Sequence, residues 1–401
     1  MFKNSLYQIS GNVISAAMNL LIIIFTARVL GAEGRGEITY LITCIGLLQV
    51  FTGIVGNSVM VFMLTKYQQK EVLIASFFWT LLIVIIAVPL VFVITKLTIT
   101  NILYFVLLGI IQTGFNNITA LYSYQLKFRL LMILKIIQPL ILIALIFTIS
   151  SFKKLNINIY WQLLIISYLP HFGFLLFETF KKSQKVSFNS LKIITQHFLK
   201  LGGLNQLNYL MQFASYRFAV LVIMRMLSVK EVGVFGLWLT VTDSIWLIPI
   251  GLANVNMAYA TKSDYGIKNI LQYILIAIAI STGLIITVLL IPNDFFVWLL
   301  GKDFTELKSL ILISSPVIIL FTINIIIAYF FSAKGLIKYN TISSGLGFIA
   351  IISLTSLITA HFGLKGAVMS NCISYFISIV TTLILFYRNS NQFNSNSIPI
   401  N

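Results

Sequence analysis

Apolar residues occupy this chain in long runs divided by short polar intervals, and the runs can be read one by one. A helix that crosses a bilayer needs about 20 predominantly apolar residues. Runs of that length lie near 10–30, 38–63, 72–95, 102–124, 130–150 and 157–177, and again near 200–226, 232–258, 268–291, 307–332, 339–361 and 364–387. The longest polar interval, from Glu178 to about Lys200, divides the two sets. The pattern predicts an all-α membrane protein of twelve transmembrane helices. Its parts are an N-terminal six-helix bundle over 1–180, a basic linker over 181–199, a second six-helix bundle over 200–388 and a flexible tail over 389–401.

Two of the runs carry polar residues in a regular stripe. In the seventh, Asn205, Asn208, Gln212 and Ser215 share one helical face, and Arg217 lies within the apolar length itself. The first has a matching stripe of Gln8, Asn12, Ser15 and Asn19. An unsatisfied polar group facing hydrocarbon costs several kcal/mol, so both stripes must face protein or a water-filled cavity. Two such helices half a chain apart suggest a duplication.

Sliding the halves over one another by 197 residues tests it. That offset pairs Arg28 with Arg225, Leu30 with Leu227, Gly36 with Gly233, Thr43 with Thr240, Asn57 with Asn254 and Met60 with Met257. Each half opens with a span ending in Arg, a short turn, and a second helix with Thr early and Asn late. Because six spans separate the halves, the repeat is parallel, with a pseudo-two-fold axis along the membrane normal.

Composition places the chain outside soluble proteins: 59% of residues are hydrophobic and 9% charged, with a mean hydropathy of +0.99. The net charge of +17 reads as a topology signal rather than a nucleic-acid footprint. With the N-terminus inside, inner loops hold 16 of the 27 Lys and Arg residues and outer loops ten, which leaves Arg217. Both termini are therefore expected in the cytoplasm. Cys44 and Cys372 fall in apolar runs and read as small core residues. The start lacks a short apolar region followed by a small-residue cleavage site, so no signal peptide is expected.

The middle interval contains Lys181, Lys182, Lys185 and Lys192, and its second part can form an amphipathic helix with Leu191, Ile194 and Phe198 on one face. The expectation is an interfacial linker, with a headgroup or partner site as the alternative. Arg217 and Asp243 are the clearest intramembrane charges of opposite sign. Both lie roughly 13–17 Å below the outer surface at 1.5 Å per residue, so they can meet across a hairpin. The repeat-equivalent of Asp243 is Gly46. A charge in one half only suits either a coupling-ion site or a structural ion pair. His171, beside Pro170, reads as core packing rather than a proton relay. Pro89, Pro139, Pro170, Pro249 and Pro316 fall within or at the start of spans, where prolines are common.

The turn ARVLGAEGRGEITY after the first span, the span count, the basic middle interval and the repeat together resemble the polysaccharide transporters of the MOP superfamily. In length the chain is most similar to the O-antigen (Wzx-type) flippases. That resemblance implies two bundles around a V-shaped central cavity and alternating access. It also implies export of an undecaprenyl-pyrophosphate-linked oligosaccharide across a bacterial inner membrane. Membrane lipids, a polysaccharide polymerase and a chain-length regulator are the further partners it implies. Such a headgroup favours a cationic, amide-lined path, and arginine suits phosphates because its planar donors bind oxygens in pairs. Arg28, Arg35, Arg217 and Arg225 are the candidates for phosphate. Asn12, Asn19, Asn57, Asn205, Asn208, Gln212 and Asn254 are those for sugar hydroxyls. Arg28, Arg35 and Arg225 lie near the outer edge, where snorkelling to water is an equal alternative.

No Gly-x-x-x-x-Gly-Lys-Ser/Thr loop, metal-spaced His/Cys/acid cluster or nucleophile motif occurs, so no cofactor or catalytic role is expected. Active export would draw on a proton or sodium gradient or on substrate supply. A membrane polymerase or ligase would need a large outer loop or several cavity carboxylates, and acids number only ten. A multidrug-type exporter of small cations shares the twelve-span plan but favours acidic cavity residues.

Overall fold

The computed structural model describes residues 2–53, 57–94, 98–152, 154–180, 186–260 and 267–389. All regular structure there is helical: α1 (Phe2–Thr52), α2 (Asn57–Lys66), α3 (Gln69–Ile94), α4 (Ile99–Tyr124), α5 (Phe128–Phe152) and α6 (Ile157–Phe180), then α7 (Phe188–Met226), α8 (Val229–Ala260), α9 (Ile267–Leu290), α10 (Asn293–Leu300), α11 (Leu307–Ala333) and α12 (Ile337–Arg388), with a short 3-10 turn at Lys302–Phe304. Nine of these are long and apolar enough to cross a membrane. Two of the nine are broken by a glycine, at Gly31 (φ 66°) in α1 and Gly363 (φ 57°) in α12, and each counts as two spans. A positive φ suits glycine because it has no Cβ to clash, so a single residue breaks the helix where the hydropathy pattern had separate runs. Adding the polar-striped α7 gives the twelve expected spans. The five prolines lie inside helices without ending them.

The chain forms two compact units. The first comprises residues 1–30 and 41–209, the second 31–40 and 210–401. In the first, α4 is the central helix, packed against α2, α3, α5 and α6. Two of its polar residues are buried and paired: Thr113 meets the Thr52 hydroxyl at 3.2 Å, and the Asn117 amide donates to Ser76. Helix α1 stops near Thr52, which leaves carbonyls without intrahelical partners. The Trp79 indole donates to the Phe51 carbonyl at 3.2 Å, and the Gln206 amide donates to that of Val50. In the second unit α11 is central, packed on α8, α9 and α12. Three side chains of α8 tie the pair along its length, Trp238 to Ser314 (2.8 Å), Trp246 to the Ile318 carbonyl (3.0 Å) and Asn256 to that of Ile326 (3.4 Å).

The middle interval departs from expectation. The amphipathic stretch is the first part of α7, continuous with the seventh span, and 39 residues make a helix of roughly 58 Å, longer than a bilayer core. Its apolar face is not laid on a membrane surface. Ile194 and Phe198 are fully buried in the core of the first unit with Met60, Met63, Leu64 and Leu121. Burial against protein removes that face from water as well as lipid would. The division between the units accordingly falls inside α7, after Tyr209, rather than at 199/200.

Residues 31–40 belong to the second unit because they cross α8 at backbone contact. A Cβ on Gly36 would lie 1.8 Å from the Val229 carbonyl oxygen, one on Gly233 2.0 Å from that of Ala32, and one on Gly236 2.2 Å from the Thr39 hydroxyl. The offset of 197 relates Ala32 to Val229, Gly36 to Gly233 and Thr39 to Gly236. The crossing is thus pseudo-symmetric, each repeat supplying the small residues that admit the other, as in close helix pairs within membranes. Asp303 bridges the two helix starts. Its carboxylate accepts from the Lys230 ammonium at 2.7 Å and from the Ala32 N–H at 3.3 Å.

Candidate functional site

The intramembrane charges meet within the second unit. An Arg217 guanidinium nitrogen donates to an Asp243 carboxylate oxygen at 3.0 Å. Helix α7 delivers the first and α8 the second, and the short turn between the helices puts both at similar depth. The side chains are 31% and 51% exposed. A carboxylate that open within a spanning helix borders a wet or polar space, since lipid would not solvate it.

On the N-terminal side of Arg217 along α7 lies a cavity of about 110 Å³ bounded by α7, α11 and α12. Every lining residue except Phe321, Ile325 and Ala328 carries a hydroxyl or an amide, and none carries a carboxylate, ammonium or guanidinium. An aromatic cluster forms one side. Tyr216, Phe321 and Tyr375 have centroids 4.9–6.0 Å apart, and Trp246 backs Phe321 at 4.8 Å. Much of the remaining wall is fixed by its own hydrogen bonds. Thr382 donates to Asn324 (2.6 Å) and lies 2.8 Å from the Ser343 hydroxyl, while Ser343 donates to the Ser378 carbonyl (2.9 Å).

Among the residues singled out by sequence, Arg217 and Asp243 come together and Gln212 lines the cavity. Arg225 and Asn254 are exposed elsewhere on the second unit, and Arg35, also in that unit, is buried. In the first unit Arg28, Asn12 and Asn19 are exposed. Lys135 donates to Asn12 at 2.7 Å, and Asn19 donates to Ser15 at 3.4 Å. The side chains of Gln8, Asn57, Asn205 and Asn208 lie outside the described residues. His171 is a core residue, its Nε2 2.7 Å from the Leu134 carbonyl and its ring edge-on to Phe115. Sequence reading passed over Gln206 and the α12 face of Ser374, Ser378 and Thr382. The spacing of four in that face was the available signal.

No protein-family model and no curated protein sequence matches the chain. Solved structures do. An inward-facing multidrug resistance MATE family transporter of the MOP superfamily aligns with a TM-score of 0.72 at 15% identity, over 98% of this chain and 96% of that one. Lipid II flippase MurJ, in an inward closed conformation, aligns at 0.75 and 15% identity, over 96% of this chain and 88% of its own. The fold is that of MOP-superfamily transporters. The MATE multidrug transporter DinF-BH aligns at 0.67 and 17% identity, over 98% and 95%. The all-α, twelve-helix, two-bundle plan expected from the hydropathy pattern is thus that of known MOP structures, and the chain is a multi-pass membrane protein.

Proposed function

We propose that the protein is a flippase that moves an undecaprenyl-pyrophosphate-linked oligosaccharide, of the O-antigen or a related surface polysaccharide, from the inner to the outer leaflet of a bacterial inner membrane. The observation that carries this reading is the 3.0 Å pair of Arg217 and Asp243. It neutralises the one carboxylate set deep in α8, so that acid is not free to hold an organic cation. Near it the protein offers amides and hydroxyls, the groups that match sugar hydroxyls. Arg28, Arg35, Arg217 and Arg225 are the phosphate candidates. Likeness in fold to a lipid II flippase over 96% of this chain supports the reading. Energy would come from a proton or sodium gradient or from substrate supply. A polymerase and a chain-length regulator would act downstream.

The second reading is a cation-coupled multidrug exporter, favoured by the equally extensive likeness to MATE transporters. Proteoliposomes containing only this protein separate the two. The leaflet position of a short undecaprenyl-pyrophosphate oligosaccharide is read with a membrane-impermeant sugar-modifying enzyme, with and without a proton or sodium gradient. Protein-dependent turnover is the expected result. Gradient-driven movement of a small organic cation, with no movement of the glycolipid, would transfer the case to the exporter.

A further inference from the structure

The cavity between α7, α11 and α12 has a chemistry that neither the ion pair nor the phosphate-binding candidates use. We propose that it is a subsite for one uncharged sugar residue of the substrate; the inference rests on the flippase reading and adds to it where the sugar is recognised.

Size comes first. A volume of about 110 Å³ has room for roughly ten water-sized atoms. That is the scale of a single pyranose ring. Charge comes second: no ionised side chain lines the space. A phosphate would need a cation here and an organic cation a carboxylate, whereas a neutral polyol needs donors and acceptors in mixed supply.

The supply is there. Asn324 has its carbonyl oxygen engaged by Thr382, which fixes the amide and leaves its NH₂ toward other partners. The side chains of Gln212 and Ser344 make no hydrogen bond among the described residues, and both line the cavity. Together they present donors and acceptors from three helices. Tyr216, Phe321 and Tyr375 supply the apolar wall, locked to one another and to Trp246. A pyranose carries C–H groups on its faces and hydroxyls at its rim, so it uses both kinds of surface at once. The hydrogen bonds that tie Ser343, Ser378 and Thr382 across the back keep the wall from collapsing into the space.

The test is equilibrium binding to the full chain in nanodiscs. The probes are undecaprenyl pyrophosphate and its derivatives bearing one glucose, galactose or N-acetylglucosamine. At least one sugar-bearing lipid is expected to bind more tightly than the bare lipid. Gln212→Leu should reduce that advantage about tenfold, the value of one or two neutral hydrogen bonds. Ala328→Phe, which fills the cavity without removing a polar group, should abolish the advantage. Thermal melting identifies any variant that fails to fold, and either variant alone suffices for the comparison. A wild type that binds and flips the glycolipids no better than the bare lipid would sink the subsite and leave the flippase reading standing. Equal losses for both lipids, or a changed sodium dependence with the sugar advantage intact, would also overturn it. Failure of the wild type to bind any of these lipids removes the flippase reading, and the subsite with it.

Discussion

Replacing Gly36 with alanine tests whether residues 31–40 and α8 touch backbone to backbone. The added methyl would sit 1.8 Å from the Val229 carbonyl oxygen, where ordinary contact begins near 3.4 Å. Carbonyl oxygens in a helix cannot rotate aside, so the two segments must separate by roughly 1.6 Å. A gap of 0.5–1 Å already forfeits about a quarter to a half of each dispersion contact. Overpacking of this kind costs about 1–3 kcal/mol, and weak Cα–H···O contacts across the crossing add about 0.5–1 kcal/mol each. The expected loss is about 2–4 kcal/mol, read as a lower Tm of the purified protein in detergent. Gly233→Ala meets the Ala32 oxygen at 2.0 Å and should cost about as much. Both open one crossing, so the double variant should lose less than the sum of the singles. Gly283→Ala is the control. Nothing lies within 4 Å of its Cβ, and alanine in a helix interior is better than glycine by about 0.5–1 kcal/mol. If Gly36→Ala melts with the wild type while the control behaves as expected, the crossing is not there.

Four further outcomes follow from the same geometry. Asp243→Asn strands the Arg217 charge; at these exposures the loss is about 1–2 kcal/mol. The variant's glycolipid turnover should fall, and adding Arg217→Gln should partly restore it; undiminished turnover in the single variant would refute a role for the pair. Asp303→Asn removes the charge partner of Lys230 and should lower Tm at low salt, with the difference closing toward 1 M salt, where the screening length is about 3 Å. A difference that ignores salt would mean the ion pair contributes nothing. Gln206→Leu leaves the Val50 carbonyl buried without its donor and should cost about 1–3 kcal/mol in thermal melting. Phe198→Ala should cost about 3–5 kcal/mol because the ring is fully buried in the first unit; a change confined to lipid binding would restore the interfacial picture.

The spans themselves were legible because hydropathy is a local property: each run of about 20 apolar residues must cross whatever its neighbours do. Internal duplication was legible for a related reason, since one offset relates Gly36 to Gly233 and Arg28 to Arg225 without reference to any contact. The Arg217–Asp243 pair also followed from chain distance alone, because a two-helix hairpin converts residue number into depth. Other features depended on which surfaces find each other. An amphipathic face is satisfied equally by lipid and by protein, and only packing decided that Ile194 and Phe198 enter the core of the first unit. Gly36 and Gly233 were visible as equivalents, yet nothing in their order along the chain brings them to each other's helix. Gln206 stood beside the polar stripe, but its task depends on a carbonyl freed far away, where α1 ends. The cavity is the clearest case. Gln212, Asn324 and Ser344 come from three helices separated by more than a hundred residues at the widest. Their sequence spacing says nothing of their nearness, because side chains on different helices meet only after those helices have packed.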